Sequence, residues 1–319
     1  MYRKWLLRLL LIAAICVAGF LIYRTLSRYS FSEIVDSVRA IPPMRLFMAL
    51  VFSACSYLCL TVFDLLGVRY AGKRLPYSKT ALAAFVSLSI GHTVGFAALS
   101  SGAIRYRFYS KWGLDAEEVA KIILFSGLTV GLGLLTLGGV GLLVDPSVAS
   151  ELTGLGRSAV IGLGIACLAL SAAYVVMSAL VRSALHVRKW SFEMPSARLA
   201  AAQVLIGSLN FVFVAACLHQ ALAAFIDAGY LKVSSVYVIA NSTALISHVP
   251  GGLGVLETAI TYLLPGGTLI GALIAFRFAY FIVPLAFGLV MLLVTERHFA
   301  KGGGVQHTGK RPVGSQKAA

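Results

Sequence analysis

The sequence predicts an all-α, polytopic integral membrane protein built as a helical bundle, and three observations predict it. Of its 319 residues, 59% are hydrophobic and only 12% charged, with a mean hydropathy of +0.89, whereas soluble domains carry about 25% charged residues. Six apolar runs are each long enough to span a bilayer, which takes about 20 residues of helix. Two further apolar regions are broken near their middles by small and helix-interrupting residues. Lysine and arginine total 27 against 12 acids, a net charge of +15. In a soluble chain that excess would raise nucleic acid as a partner. Here it reads as basic loops facing an anionic cytoplasmic leaflet, and no nucleic-acid partner is expected.

The elements follow in order. "MYRKWLLRLLLIAAICVAGFLIY" opens with basic residues ahead of an apolar run, as a signal peptide does. Its run is long and lacks an A-x-A-like cleavage site, so Trp5–Tyr23 is read as a retained first span. Ile15 ahead of Cys16 argues against a lipoprotein. Leu46–Leu66 is the second span. Thr80–Ser110, containing "FVSLSIGHTVGFAALSSGAIRYRFYS", is the first broken region. Val119–Val144 carries glycines that permit close helix contact, and Ala159–Val181 follows. Leu199–Ala228 is punctuated by Gln203, Asn210, His219 and Gln220, which are expected to face the bundle interior. Ser234–Leu264, containing "ISHVPGGLGVLETAI", is the second broken region, and Leu269–Thr295 is the last span. Residues 1–300 form one membrane-embedded unit. The polar, glycine-rich stretch 301–319 is expected to be a disordered basic cytoplasmic tail.

Loop charge decides how the broken regions run. Eight full spans, the alternative, would divide the basic residues almost evenly between the two sides, which the positive-inside rule disfavours. If each broken region is instead a re-entrant hairpin, Lys73, Arg74, Lys79, Arg105, Arg107 and Lys111 join the 182–198 loop and both termini in the cytoplasm. Six full spans plus two hairpins is therefore the expected architecture. The hairpins enter with opposite polarity, and each carries Ile, a small residue and His ahead of its break: Ile90-Gly91-His92 and Ile246-Ser247-His248. That arrangement fits an inverted repeat, in which opposed half-helices build a substrate site near the midplane.

Broken backbone at membrane depth survives only within protein or beside a polar cavity. The re-entrant breaks are assigned to His92 and Gly95 in the first hairpin. In the second they are His248, Pro250, Gly251, Gly252 and Gly254. Glu257 falls in the first turn of the following half-helix, where a carboxylate is favoured. Arg277 lies about 12 Å inside the last span at 1.5 Å per residue. Unpaired, it would cost at least ~2.5 kcal/mol, so a Glu257–Arg277 pair is the leading expected contact. It either fixes the hairpin or opens to meet a charged substrate. Arg105, Tyr106 and Arg107 offer guanidinium forks for phosphate at a hairpin's cytoplasmic end, or serve only as positive-inside anchors. His92 and His248 are read as satisfied core histidines or as proton relays. The five cysteines all lie in apolar runs without C-x-x-C spacing, and no metal site or cofactor is expected. No nucleotide-binding or zincin motif is present.

"GFAALSSGAIRYRFYSKWGL", "ISHVPGGLGVLE" and "AFRFAYFIVPLAFG" together resemble the flippase domain of bacterial lysylphosphatidylglycerol synthetases, the multiple peptide resistance factor family. The likeness covers roughly residues 1–300, with the three motifs in order. It implies a non-enzymatic lipid flippase of the bacterial inner membrane, moving an anionic or aminoacylated phospholipid and so contributing to antimicrobial peptide resistance. By motif, Arg105 and Arg107 match the family's R-Y-R, Glu257 its G-G-L-G-x-x-E, and Arg277 and Pro284 its last-helix pattern. No synthetase domain follows residue 300, which implies a separate synthetase partner or a different lipid cargo. A membrane-embedded accessory protein or enzyme of polyprenyl-linked glycolipid synthesis is the alternative from another class. It lacks a D-x-D-type metal site. A scaffold recruiting a partner through the basic tail is a third reading, and the sequence leaves a homo-oligomer open.

Overall fold

A computed structural model describes residues 39–94, 97–181, 184–187, 190–247, 249–264 and 269–302, with isolated residues 32, 35 and 36. The predicted span Trp5–Tyr23, the break residues Gly95 and His248, and the tail 303–319 lie outside the described residues. The protein is a helical membrane bundle. Among the described residues, five helices are long and apolar enough to cross a membrane. They are α1 (Pro43–Tyr70), α4 (Ala116–Val144), α6 (Arg157–Leu180), α7 (Ala197–Leu222) and the continuous last span Ile270–Phe299. Each overlaps a run read as a full span from sequence. Their outward faces carry exposed Leu58, Leu124, Leu170, Leu205, Phe287 and Leu293, as expected of helices solvated by lipid rather than water.

Both broken regions fold back on themselves. The first comprises α2 (Tyr77–Val94) and α3 (Ala97–Lys111). Its arms pack so closely that a Cβ on Gly91 would lie 2.8 Å from the Ser101 Cβ. Lys79, near the start of one arm, sits 5.8 Å from the Trp112 ring just past the end of the other, so both outer ends share one end of the bundle. The second comprises α8 (Tyr230–Ser247), a 3₁₀ turn at Pro250–Gly252, and α9 (Val255–Leu263). Here a Cβ on Gly252 would meet the Ala244 Cβ at 3.1 Å.

The hairpins enter from opposite ends. Tyr77 Oη lies 2.7 Å from Thr61 Oγ1 in the closing part of α1. Gly229, just before α8, instead lines a surface hollow with Arg45 at the start of α1. Their tips meet, since the Gly251 Cβ position is 3.3 Å from the Thr93 carbonyl oxygen and 3.6 Å from that of His92. This is the opposed geometry expected from loop charge.

Glycine sets a close backbone crossing in the scaffold. A Cβ on Gly133 of α4 would lie 2.4 Å from the Gly207 carbonyl carbon of α7, so only glycine allows this backbone approach. Gln203 of α7, fully buried, donates to the Phe125 carbonyl at 3.1 Å and to Thr129 Oγ1 at 3.0 Å, and accepts from Tyr174 Oη at 2.6 Å. Of the four polar residues expected to face the interior, Gln203 and Asn210 do, while His219 and Gln220 are only half-buried and His219 lines a surface hollow with Arg45. Two small elements were not anticipated. One is the eight-residue helix α5 (Pro146–Thr153), capped by the Asp145 carboxylate. The other is an antiparallel pair of β1 (Ala184–Val187) and β2 (Trp190–Glu193), to which Tyr70 Oη donates at the Glu193 carbonyl, 2.6 Å away.

Candidate functional site

The last span is not uniform helix. It runs as α10 (Ile270–Arg277), a π-helical segment Phe278–Ile282, and α11 (Val283–Gly302). Pro284 has no N–H to offer the Tyr280 carbonyl one turn earlier, and a π segment of this kind frees carbonyls that must find other donors. Side chains of α1 supply them. Ser53 Oγ donates to the Ala279 carbonyl at 2.9 Å, and Tyr57 Oη to that of Tyr280 at 3.4 Å. Ser56 completes a buried polar seam, donating to Asn210 Oδ1 at 2.7 Å and lying 3.1 Å from Tyr280 Oη.

Arg277 ends α10 directly beside the second break. Its Nε donates to Glu257 Oε1, its Nη1 to the Gly251 carbonyl at 2.8 Å, and its Nη2 to the Gly252 carbonyl at 3.2 Å. The Phe281 ring lies 5.0 Å from the guanidinium carbon. Glu257 uses its second oxygen to accept the Gly254 N–H at 2.8 Å. Gly251, Gly252 and Gly254 have φ of 60°, 59° and 84°, a region that side-chain-bearing residues populate only at a cost. The break therefore exposes two carbonyls and one N–H that no helix satisfies, and one ion pair satisfies all three. Glu257 keeps 21% of its side chain exposed against 8% for Arg277, so the acidic half is the accessible one.

Arg105 is placed otherwise than sequence reasoning anticipated. It is 2% exposed and does not present a fork at the bundle's end. Nε lies 2.9 Å from Asp64 Oδ2, Nη2 lies 2.7 Å from Asp64 Oδ1, and Nη1 donates to Ser101 Oγ at 3.1 Å. Tyr109 Oη at 2.8 Å and Ser126 Oγ at 3.3 Å complete the shell of Asp64. This clasp joins α1, α3 and α4. Arg107 makes a two-point pair with Glu296 of α11, at 2.9 and 2.7 Å, with both side chains about one-fifth exposed. Tyr106 packs partly buried beside the cluster formed by Phe108, Tyr109 and Leu285. Asp64 was missed although "LTVFDLLGV" puts an acid inside a span, a signal that alone marks a partnered or functional site.

His92 stands at the tip of the first hairpin, stacked on Tyr280 (6.4 Å between centroids, 18° between planes) and edge-on to Tyr57 at 6.3 Å. Its Nδ1 is buried and has no hydrogen-bond partner among the described residues, so one of its two ring nitrogens is left unsatisfied. No grouping of three or more His, Cys, Asp or Glu side chains suited to a metal occurs among the described residues. Taken together, the two breaks, the Arg277–Glu257 staple and the His92–Tyr280–Tyr57 stack form one contiguous polar seam inside an apolar bundle. Such a seam can handle charge where lipid cannot.

The chain matches the family model described as the lysylphosphatidylglycerol synthase TM region over residues 6–288. It is 31% identical over 264 residues to an uncharacterized protein of Synechocystis, covering 82% of each chain. Inner membrane protein YbhN of Escherichia coli is 28% identical over 280 residues, 86% of this chain and 87% of YbhN. Phosphatidylglycerol lysyltransferase of Staphylococcus aureus is 23% identical over 278 residues, 85% of this chain but 32% of that protein. In the lysyltransferase the likeness is thus confined to about a third of the molecule.

Proposed function

This chain belongs to the lysylphosphatidylglycerol synthase TM region family, and from that premise we propose that it moves a phospholipid between the leaflets of a membrane. The carrying observation is the meeting of two oppositely entering hairpins, with the break of the second held by Arg277 and Glu257. Opposed half-helices meeting inside a bundle are how inverted-repeat transporters build a substrate site, and a lipid headgroup needs polar partners along its path. Glu257, the more exposed partner, meets a cationic headgroup amine, and Arg277 then keeps its hold on the break carbonyls. An aminoacylated phosphatidylglycerol supplies both the amine and the phosphate. A synthetase that supplies this lipid is the partner the reading calls for. Arg107, paired at the surface with Glu296, is the better placed phosphate contact, because Arg105 is sealed against Asp64. The similarity to YbhN supports an inner-membrane location, and loop charge supports cytoplasmic termini.

The test is direct. Full-length protein in vesicles of phosphatidylglycerol and phosphatidylethanolamine is assayed for movement of tagged phosphatidylglycerol and lysylphosphatidylglycerol by quenching of the outer leaflet. Protein-dependent movement of either is expected. Rates equal to those of protein-free vesicles for both would reject the reading.

A further inference from the structure

Among the described residues, two buried side-chain polar atoms have no hydrogen-bond partner: His92 Nδ1 and Ser178 Oγ on α6. The second lies on the bundle's most lipid-exposed span. His92 lies where the two hairpins touch, its own carbonyl oxygen 3.6 Å from the Gly251 Cβ position. Leaving a buried ring nitrogen unpaired costs stability, so such an atom calls for an explanation.

The surroundings of the ring say what it can do. From α1 it faces Tyr57 and from the π segment Tyr280. The cation of α3 whose field reaches it is Arg105, already matched by Asp64. Across the second hairpin's turn stand Arg277 and Glu257, bonded to one another. From α11, Gly288 packs on the same arm at Ser89, while Glu296 is held by Arg107 farther along. Among the described residues, the two carboxylates inside the bundle, Asp64 and Glu257, are therefore committed. A neutral imidazole is tolerated in this stack. Among the described residues, a protonated Nδ1 has neither a free counter-ion nor an acceptor there, and a buried charge without one is strongly disfavoured.

We propose that His92 is a proton-carrying group, and that its protonation parts the two hairpin tips. The proton arrives from water on one side, occupies Nδ1, and creates a cation that the closed junction cannot hold. Separation of Gly251 from His92 and Thr93 admits water to solvate it, and the proton leaves to whichever side the parted junction then faces. This rests on the translocase reading only in taking the parting of the tips as a transport step. The proton chemistry needs no cargo.

The experiment has two arms on the full chain, with native cysteines replaced. In the first, Thr93→Cys is labelled with a water-soluble thiol reagent across pH 5–8, its rate divided by that of a cysteine placed at surface-exposed Gly113. The expected result is normalised labelling about tenfold or more faster at the acid end, abolished by His92→Gln; a tenfold bias matches one pH unit acting on one proton. A flat profile in the parent protein, or an unchanged acid response in His92→Gln, overturns the proposal. Should His92→Gln fail to fold, the parent profile together with the histidine nitrogen NMR shifts at the same pH values decides the matter: a His92 ring that stays neutral while labelling rises overturns it. In the second arm, tagged phosphatidylglycerol is followed under a one-unit pH difference. A lipid distribution skewed toward one leaflet, lost in His92→Gln, is expected. Acid-triggered labelling without lipid movement would sink the translocase reading and leave this inference standing. Lipid movement with a flat labelling profile would do the reverse.

Discussion

The two hairpins are held by the same chemistry used in opposite ways. In the first, Arg105 meets Asp64 within a shell of side chains, Ser101, Tyr109 and Ser126, and both charges are sealed at 3% and 0% exposure. In the second, Arg277 meets Glu257 while gripping the main chain itself, at the Gly251 and Gly252 carbonyls, and the carboxylate stays partly open. A pair saturated by side chains from three helices is a rivet. A pair closed on the carbonyls of a glycine turn has one partner left open, and in the proposed reading a cationic cargo group meets that exposed carboxylate while Arg277 keeps the turn. The difference separates what holds the bundle from what can change state within it.

Breaking the rivet should give the largest effect. Asp64→Asn leaves the Arg105 guanidinium buried without a counter-charge, and removal of one partner of such a pair costs about 3–5 kcal/mol. The melt of the detergent-solubilised protein should collapse or shift far down, and Arg105→Met in the same chain should recover much of it. A normal melt for Asp64→Asn alone would mean that the first pair is no more structural than the second.

Next comes the turn. Gly252→Ala forces a side chain into the left-handed region, about 1–2 kcal/mol, and pushes its Cβ to 3.1 Å from Ala244. Gly91→Ala in the first hairpin keeps a helical backbone and pays only for crowding Ser101 at 2.8 Å, within the roughly 1–3 kcal/mol of an overpacked contact. Both should lower the melt, but only Gly252→Ala should displace the carbonyls that Arg277 holds. Lipid movement per folded molecule should therefore fall for Gly252→Ala and hold for Gly91→Ala. Equal loss in both would erase the distinction between the hairpins.

The smallest effect belongs to Arg107. Its pair with Glu296 is partly exposed, and such pairs contribute about 0–1 kcal/mol. Arg107→Lys should leave the melt nearly unchanged. If lipid movement also stays at the parent level, two-point phosphate recognition at this position is wrong, since lysine cannot reproduce the fork.

How much of this was legible in the sequence differs along the chain for physical reasons. Spans are written in long apolar runs, so five of the predicted six reappear among the described residues, and loop charge was enough to anticipate that the broken regions fold back. Glu257 and Arg277 could be paired because an intramembrane arginine needs a counter-charge and the two enter from the same end. Asp64 and Arg105 could not, because 41 positions separate them and the register of α1 against α3 is a tertiary fact. Arg105 looked like the end of a hairpin, yet it sits one helical turn after Ser101 and turns inward to an acid that was not counted. The π segment had a marker in Pro284, but its carbonyl partners Ser53 and Tyr57 lie on a distant helix. Glycine showed that helices approach closely, without showing that Gly133 and Gly207 are the positions that touch.

The central claim, that the Glu257–Arg277 pair handles cargo rather than merely closing the turn, is tested most directly by Glu257→Gln combined with Arg277→Met. The double variant removes both charges together, so no buried ion is left unmatched; what it gives up is the guanidinium's hydrogen bonds to the Gly251 and Gly252 carbonyls, about 1–3 kcal/mol for each group left unsatisfied. Its melt is predicted to drop accordingly while its size-exclusion profile stays near the parent's. Lipid movement in vesicles, normalised to folded protein, is predicted to fall about tenfold or more, the equivalent of ~1.4 kcal/mol or more of lost recognition. A double variant that folds and moves lipid at the parent rate would contradict the account and make the second pair a rivet like the first.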